Sequence, residues 1–417
     1  MGLVGRFLSQ LACLLYLVLC TIALYGYYCT YYRYNLKGRQ DSAATELLDD
    51  EDADSPCVSI LRPMRGLEPL LEECLASVFN QSYPLDKYEV ILSAAEEEDP
   101  AVLIARRVMA AHPHIQSTLI LGDCPDVGPN PKIANLVQSW ARAKYEIRWI
   151  LDSNVLVHPG TLAAAARHFT IRDRPVVNLV HHLPVAIALQ GAGLGAKLDA
   201  LYLSTLHAKM YACINDISVA PCVMGKSNLI RASALEDGQN SGIARFAKYI
   251  AEDHLMATHV WRGRHTHVLD RDYCVLQPLQ DISFFGFLAR RARWIRVRKY
   301  MVTASTLIEP FTECFVLGLM GAYAMHAVLE TSVQTWLALH ILAWFLLDYG
   351  QAQALAQHGD AIPQQARKAI PLWEFTYVWF LRECTALPAW IWAMSNDKIS
   401  WRGTHFVIRR DMTAVRA

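Results

Sequence analysis

Strong charge of either sign is missing from this chain: Lys+Arg and Asp+Glu stand at 39 each, and charged residues make up only 19%. No global field recruits nucleic acid, so nucleic acid is not an expected partner and any electrostatic role falls to local clusters. Several signature spacings are missing as well. Without G-x-G-x-x-G, Walker A or G-x-S-x-G patterns, the sequence argues against dinucleotide oxidoreductases, P-loop ATPases and serine hydrolases. Without H-E-x-x-H or C-x-x-C spacing, it offers no zinc signature. The 11 cysteines are scattered, which fits reduced thiols in a cytosol-facing protein rather than a secreted disulfide framework. There is no internal repeat or low-complexity tract.

Apolar surface is what the chain has in excess, at 53% hydrophobic residues, and some of it must face lipid. The run from Phe7 to Tyr32 carries no charge and would span about 39 Å as a helix at roughly 1.5 Å per residue, more than a bilayer core of about 30 Å. It reads as a retained anchor, too long for a signal peptide. Arg6 precedes it while Arg33, Lys37 and Arg39 follow, which places the bulk of the chain in the cytoplasm. Glycosylation at the sequon Asn80-Gln81-Ser82 would contradict that orientation.

The pattern divides the chain into an N-terminal transmembrane anchor (1–39), an acidic linker (40–56), a cytosolic catalytic domain (57–300) and a C-terminal membrane region with a basic tail (301–417). Within the third part, apolar runs at Val58–Leu61, Tyr88–Ser93, Ser117–Leu121, Ile147–Leu151 and Val176–Val180 alternate with helical patterns at Pro69–Phe79, Pro100–Ala111 and Lys132–Ala143. That alternation predicts an α/β fold with a mostly parallel sheet covered by helices on both faces. Residues 185–225 are apolar but hold Lys197, Asp199, His207 and Lys209, which points to a membrane surface or an acceptor groove. Further on, Cys314–Leu329 and Thr331–Leu347 read as a spanning pair. Leu372–Met394 contains Glu374, Arg382 and Glu383, so it either spans with its charges paired or lies re-entrant.

Carboxylates follow two of the predicted strands. Asp99 comes after Tyr88–Leu92 and Asp152-Ser153-Asn154 after Ile147–Leu151, where the ligand crevice of an open α/β sheet lies. Asp152 suits a hard divalent cation, Mg²⁺ or Mn²⁺, and equally suits a helix cap. Asp253, in Ile250-Ala251-Glu252-Asp253-His254, is the candidate general base. Arg290-Arg291-Ala292-Arg293-Trp294 opens a basic cluster ending at Lys299: guanidinium groups suit a diphosphate and a tryptophan can wall an acceptor site, while Arg296, Arg298 and Lys299 are expected at the lipid surface. Together these residues point to an enzyme that handles a sugar nucleotide at a membrane.

The order Asp99, Asp152, Asp253, Arg290-x-x-Arg293-Trp294 resembles the D, D, D, (Q/R)-x-x-R-W signature of family 2-like and family 21 glycosyltransferases. Flanking text is similar too: Ser59–Gly66, Asn130–Leu136, Tyr249–Asp253, Thr312–Val316 and Ile399–Arg402. The resemblance implies a GT-A (Rossmann-like mixed sheet) domain, UDP-glucose as donor, a divalent cation, and inverting transfer to the primary hydroxyl of ceramide on the cytosolic leaflet of a Golgi membrane. A bacterial inner membrane, a sterol or hopanoid-type acceptor, a processive polysaccharide synthase and an inactive lipid-binding scaffold are the rival readings, and a homo-oligomer is allowed. By motif position, Arg62, Pro63, Asp99, Lys132, Asp152, Arg290, Arg293 and Trp294 fall to the donor, and Asp152 to the metal. Asp253 falls to the proton, while His207 and Cys222 are linked to activity and inhibitor sensitivity. The chain departs from the pattern at Asn154, which gives D-x-N in place of D-x-D, and at Glu96-Glu97-Glu98.

Overall fold

β1 (Val58–Met64), β2 (Tyr88–Ala94), β3 (Ser117–Leu121) and β4 (Ile147–Leu151) form where the apolar runs predict strands, and β5 (Leu179–His181) begins three residues after Val176. The chain continues through β6 (Pro184–Ala188), β7 (Ser227–Arg231), β8 (His267–Leu269) and β9 (Val275–Leu279). This computed structural model describes residues 3–35, 55–122, 124–171, 175–236, 242–366, 370–401 and 403–417. Lys37, Arg39, nearly all of the acidic linker and Arg402 lie outside the described residues.

Seven strands make one sheet in the order β3-β2-β1-β4-β7-β5-β8. Every residue of β2 is buried, and in β1 all but Pro63. Strands covered on both faces carry continuous rather than alternating apolar sequence, so these runs read as central strands. β1, β2, β3 and β4 pair in parallel, as predicted. β7 is reversed between β4 and β5, which the alternation of strands and helices does not announce. The reversal matters for the site. Leu151 pairs with Ser227, so the residues just past β4 meet those just before β7, and the Asp152 N–H donates to the Lys226 carbonyl at 3.1 Å.

The helices that position the site or carry apolar surface are α1 (Leu3–Tyr27), α2 (Pro100–Ala111), α3 (Pro131–Arg142), α4 (Leu194–Tyr202), α5 (Ala208–Ile217), α6 (Glu252–Val260), α7 (Phe284–Arg298), α8 (Cys314–Leu329), α9 (Val333–Ala356) and α10 (Leu372–Met394). The helix expected over Pro69–Phe79 is shorter, Leu71–Ala76. α1 runs on through a π-helical turn, Tyr28–Tyr32, and the 29-residue stretch Val4–Tyr32 is long and apolar enough to cross a membrane. Thr303–Thr312 and α8 reach that length only together, bent by 76°. Large apolar side chains stand exposed on α1 (Leu11, Leu14), α8 (Leu319, Tyr323), α9 (Leu342, Leu346) and α10 (Phe380, Ile391). Exposed apolar surface on this scale marks contact with something other than water.

These helices share a core with the middle of the chain: Tyr16, Leu198, Phe287, Trp344 and Phe375 belong to one buried cluster. Residues 185–225 are therefore mainly interior, which corrects the membrane-surface reading, one of the two expected from sequence, the other being the lining of an acceptor groove. The polar groups that prompted that expectation are paired: Lys197 with Glu374 at 2.6 Å, Asp199 with Arg290 at 2.9 Å and Lys209 with Asp348 at 2.7 Å. Arg382 and Glu383 pair with each other, and Arg382 also reaches Asp348 at 3.0 Å, which keeps the α10 charges away from the apolar exterior.

The basic tail is not a loose tail. Lys398–Trp401, Thr404–Ile408 and Ala414–Arg416 form a three-stranded antiparallel sheet packed on Val297, and the Ala414 N–H donates to the Lys248 carbonyl at 2.9 Å. This sheet also corrects the lipid-facing role of the second half of the basic cluster. Arg296 is buried and donates to the carbonyls of Trp392, Ala393 and Lys398 at 2.8–3.2 Å. Lys299 pairs with Asp397 and Arg298 with Glu309. A guanidinium with five donors serves the open carbonyls at the end of α10 better than it serves a headgroup.

Candidate active site

Asn130 starts the site. Its side-chain oxygen caps α3 by accepting from the N–H groups of Lys132 (2.9 Å) and Ile133 (3.2 Å), with Pro131 in the first helical position. Its amide nitrogen donates to the Tyr249 carbonyl and to Glu252 Oε2 at 2.7 and 2.8 Å. One turn on, Asn135 donates to the carbonyls of Met64 and Ser93, which fixes α3 at the carboxyl ends of β1 and β2. The first turn of α3 is thereby held between the sheet edge and the start of α6.

Lys132 extends from that turn. Its Nζ lies 2.8 Å from Asp152 Oδ1, 3.3 Å from Glu252 Oε1 and 2.9 Å from the Gly225 carbonyl. Lys226 approaches Asp152 from the other side, with Nζ 3.0 Å from Oδ2 and 3.2 Å from Asn154 Oδ1. A Cβ at Gly225 would lie 3.0 Å from Asp253 Oδ2 and 3.2 Å from Lys132 Nζ. The lack of a side chain there lets Asp253 and Lys132 close over the backbone.

The electrostatics follow from this crowding. Burial opposes ionisation of Asp152, but the two ammonium groups outweigh it and hold the carboxyl down at about 2. Burial likewise works against Lys132, but the Asp152 and Glu252 carboxylates keep it above its ordinary value. Glu252 is pushed up to about 7 by burial and by its neighbour Asp253, against the pull of Lys132. Asp253 is raised by burial, again against Lys132. Lys226 is lowered by burial, with Arg290 close enough to add to the effect.

α7 brings the arginine-tryptophan pair to the same place. Ser283 caps it through the Gly286 N–H at 3.0 Å. Arg290 donates to the buried Asp199 and lies 5.4 Å over the Trp294 ring, which in turn packs on Tyr202 at 6.1 Å. Arg293 is part-buried on the same helix.

The sequence profile described as Glycosyl transferase family 21 matches residues 17–414, nearly the whole chain. The chain belongs to glycosyltransferase family 21. This family 21 chain is 34% identical over 428 residues to a ceramide glucosyltransferase from Komagataella phaffii, covering 86% of this chain and 83% of that protein. To a ceramide glucosyltransferase from Pyricularia oryzae it is 33% identical, over 87% and 86% of the two chains. Among solved structures it is similar to the mannosyltransferase PcManGT from Pyrobaculum calidifontis in complex with GDP-Man and Mn²⁺, at 18% identity and a TM-score of 0.46, over 90% of this chain and 99% of that one.

The residues singled out from sequence divide into those that meet and those that do not. Asp152, Lys132 and Asp253 converge on one spot, with Arg290 alongside. Asp99 stands on the same sheet edge two strands away, and its carboxylate is directed at backbone: both oxygens accept from the Gly66 N–H at 2.9 Å, and Oδ1 also caps α2 through Ala101. It shapes the turn after β1, where Gly66 has a φ of +69°. Arg62, predicted to touch the donor, does not face it. The side chain is fully buried and donates to the carbonyls of Cys74, Asp152, Ser153 and Val155. Pro63 is half-buried in β1 opposite Ser93.

His207 ends a π-helical turn, Leu203–His207, between α4 and α5, and its ring stacks on Tyr211 at 5.2 Å. Burial, reinforced by Arg298 and Arg291, pushes it down to about 3, so the resting ring is neutral at physiological pH. The ring packs beside the site. Cys222 is held through its backbone by Asn215, and burial lifts its thiol to about 11, leaving it protonated.

Asp152 is met by two ammonium groups. The D-x-N triplet offers one carboxylate and one amide oxygen, and the Lys226 ammonium lies against both. No group of three or more His, Cys, Asp or Glu is arranged to hold a metal ion among the described residues. In this arrangement the oxygens of Asp152 and Asn154 that a divalent cation would take are met by ammonium groups, Lys226 on both residues and Lys132 on Asp152. Lys226 and Glu252 are what sequence reasoning missed. A lone lysine just after Gly225 and before Ser227-Asn228-Leu229-Ile230 was the available signal for the first.

Proposed function

We propose that this chain transfers glucose from UDP-glucose to the primary hydroxyl of ceramide with inversion, giving β-glucosylceramide. The observation that carries the proposal is the meeting of Lys132, Asp152, Lys226 and Asp253 at the carboxyl edge of the sheet in a family 21 chain. Relatives bearing the name ceramide glucosyltransferase cover most of both chains, which supports the choice of acceptor and sugar. The apolar helices that share a core with α4 and α7 support a lipid acceptor.

In this mechanism Asp253 takes the hydroxyl proton as the ceramide oxygen attacks the anomeric carbon, and the bond to UDP breaks on the opposite face. Lys226, Lys132 and Arg290 meet the charge that develops on the departing diphosphate. Trp294, fixed between Arg290 and Tyr202, walls the acceptor side. α1 anchors the chain in a Golgi membrane with the catalytic domain in the cytosol, α8 and α9 span as a pair, and α10 either spans or lies re-entrant. The test is turnover by the full chain reconstituted in lipid, with a panel of UDP-sugars against ceramide and sterol acceptors, reading product mass and anomeric configuration. A preferred sterol product, or retention at the anomeric carbon, would overturn the assignment.

A pH dependence follows from the Glu252–Asp253 pair. Both carboxyls bind protons more tightly than ordinary ones, Glu252 up to about 7. The base Asp253 is raised by burial, so it ionises above the usual carboxylate range and turnover should still climb with pH where an ordinary carboxylate has levelled off. Lys132 lowers both groups, so Lys132→Met should move the acid limb to higher pH as well as reduce the plateau. For stability the sign is opposite: the pair's contribution is complete below the ordinary carboxylate range and is lost as pH rises to about 7. Initial rates and melting temperatures across pH check both signs.

A further inference from the structure

Lys226 occupies the place where a divalent cation is expected in this fold. Two side-chain oxygens at the end of a strand, from residues two apart in sequence, converge on a point that a hard cation with oxygen ligands could fill. Here the point holds the Lys226 ammonium, 3.0 Å from Asp152 Oδ2 and 3.2 Å from Asn154 Oδ1. The second oxygen of Asp152 faces another ammonium, Lys132, at 2.8 Å. Asp152 thus sees two positive charges, the charge of one divalent ion, delivered by two side chains.

Neither lysine is a loose surface group. Each is only 14% exposed at the side chain. Lys226 is placed by β-sheet register, since Leu151 pairs with Ser227 and the Asp152 N–H donates to its carbonyl. Lys132 is placed by the Asn130 cap and tied to the Gly225 carbonyl. An ammonium has three N–H donors. Lys132 donates to the Gly225 carbonyl and lies within ion-pair reach of Asp152 and Glu252, whereas Lys226 directs two donors, at Asp152 and Asn154, among the described residues. The third donor of Lys226 is available to a phosphate oxygen, with the Arg290 guanidinium nearby.

We propose that Lys226 is a built-in replacement for the divalent cation: with Lys132 and Arg290 it neutralises the donor diphosphate, and the chain binds its nucleotide sugar and turns over without Mg²⁺ or Mn²⁺. The proposal rests on the nucleotide-sugar reading of the site.

The experiment measures UDP binding by calorimetry and transfer by product mass on the full chain in lipid nanodiscs, in EDTA and with added Mg²⁺ or Mn²⁺. Mn²⁺ binding is read by electron paramagnetic resonance. Wild type should bind UDP and turn over equally well in EDTA and should show no Mn²⁺ site. Lys226→Met should lose about 100-fold in turnover in EDTA, the scale of removing one preorganised charge from a developing anion. The same variant should gain a Mn²⁺ site at Asp152 and Asn154, with part of its activity restored by the ion. Lys226→Arg, which keeps the charge, should remain independent of metal, so a poorly folded Lys226→Met does not remove the test. Wild-type UDP binding that collapses in EDTA and returns with Mg²⁺ or Mn²⁺ would overturn the replacement while leaving the nucleotide-sugar reading intact. Absence of UDP binding under every condition would overturn both.

Discussion

Asp253→Asn should lower turnover by about a thousandfold, within the range for loss of a positioned general base, while UDP affinity changes little. The substitution keeps size and shape. Its amide oxygen can still accept from the His254 N–H, which lies 2.8 Å from Asp253 Oδ1, so α6 should start as before. What disappears is the group that takes the acceptor proton, in a setting where burial has raised its affinity for one. Glu252→Gln is the informative companion. Glu252 faces Lys132 and the Asn130 amide rather than the Gly225 backbone, so its loss loosens the α3 cap and changes the pH profile. Its effect on turnover at neutral pH should be much smaller. Initial rates and calorimetric UDP binding for the two variants separate base from scaffold. Near-wild-type turnover of Asp253→Asn would remove Asp253 as the base.

The two carboxylates therefore have different work despite being adjacent in sequence. Glu252 is turned towards the N-terminal cap of α3 and belongs with Asn130 and Lys132. Asp253 is turned towards Gly225, where the missing side chain opens space. Helical geometry makes the division unavoidable, because neighbouring residues on a helix do not share a face. The sheet behind the C-terminus supports this arrangement. Ala414 hydrogen-bonds to Lys248, four residues before Glu252, and Ile250 and Ala251 pack on that same sheet.

Features that depend on local chemistry were legible in the sequence. The central strands β1, β2 and β4 showed as continuous apolar runs, α2 and α3 showed through Asp99-Pro100 and Asn130-Pro131, and Asp152 showed as a carboxylate past a strand. Features that depend on pairing between distant segments were not. The contact between Lys226 and Asp152 requires β7 to run antiparallel to β4, and strand direction is decided by tertiary packing. The same limit hid the C-terminal sheet, since Ile399, Phe406 and Ile408 find their apolar partner Val297 only after α7 and α10 have packed. The burial of Arg62 was hidden for another reason. The resemblance of Ser59–Gly66 to the family assigns Arg62 to the donor by motif position. Only the path of the Asp152–Val155 loop reveals that it turns inward to hold carbonyls.

That inward turn leads to the largest expected effect on stability. Arg62→Met should destabilise the protein by about 2–4 kcal/mol, the scale of leaving two buried carbonyls without a donor. The guanidinium is fully buried, and burial lowers it only to about 10, so it stays charged at neutral pH. It donates to Asp152 O at 2.8 Å, Ser153 O at 3.1 Å and Val155 O at 2.7 Å, and also to Cys74 O. Methionine fills much of the volume but leaves the Ser153 and Val155 carbonyls without a donor, while Asp152 O keeps the Val155 N–H and Cys74 O the Ser77 hydroxyl. A lysine at this position would supply charge without the planar fork, so Arg62→Lys should recover only part of the loss. The loop concerned is the one that presents Asp152 and Asn154 to Lys226, so the surviving folded fraction should also bind UDP more weakly. Thermal unfolding of wild type and both variants, followed by UDP calorimetry below their transitions, measures the two effects separately. A methionine variant as stable as wild type would mean that the loop keeps its shape without the arginine, and that the register of β4 with β7 alone holds Asp152 in place.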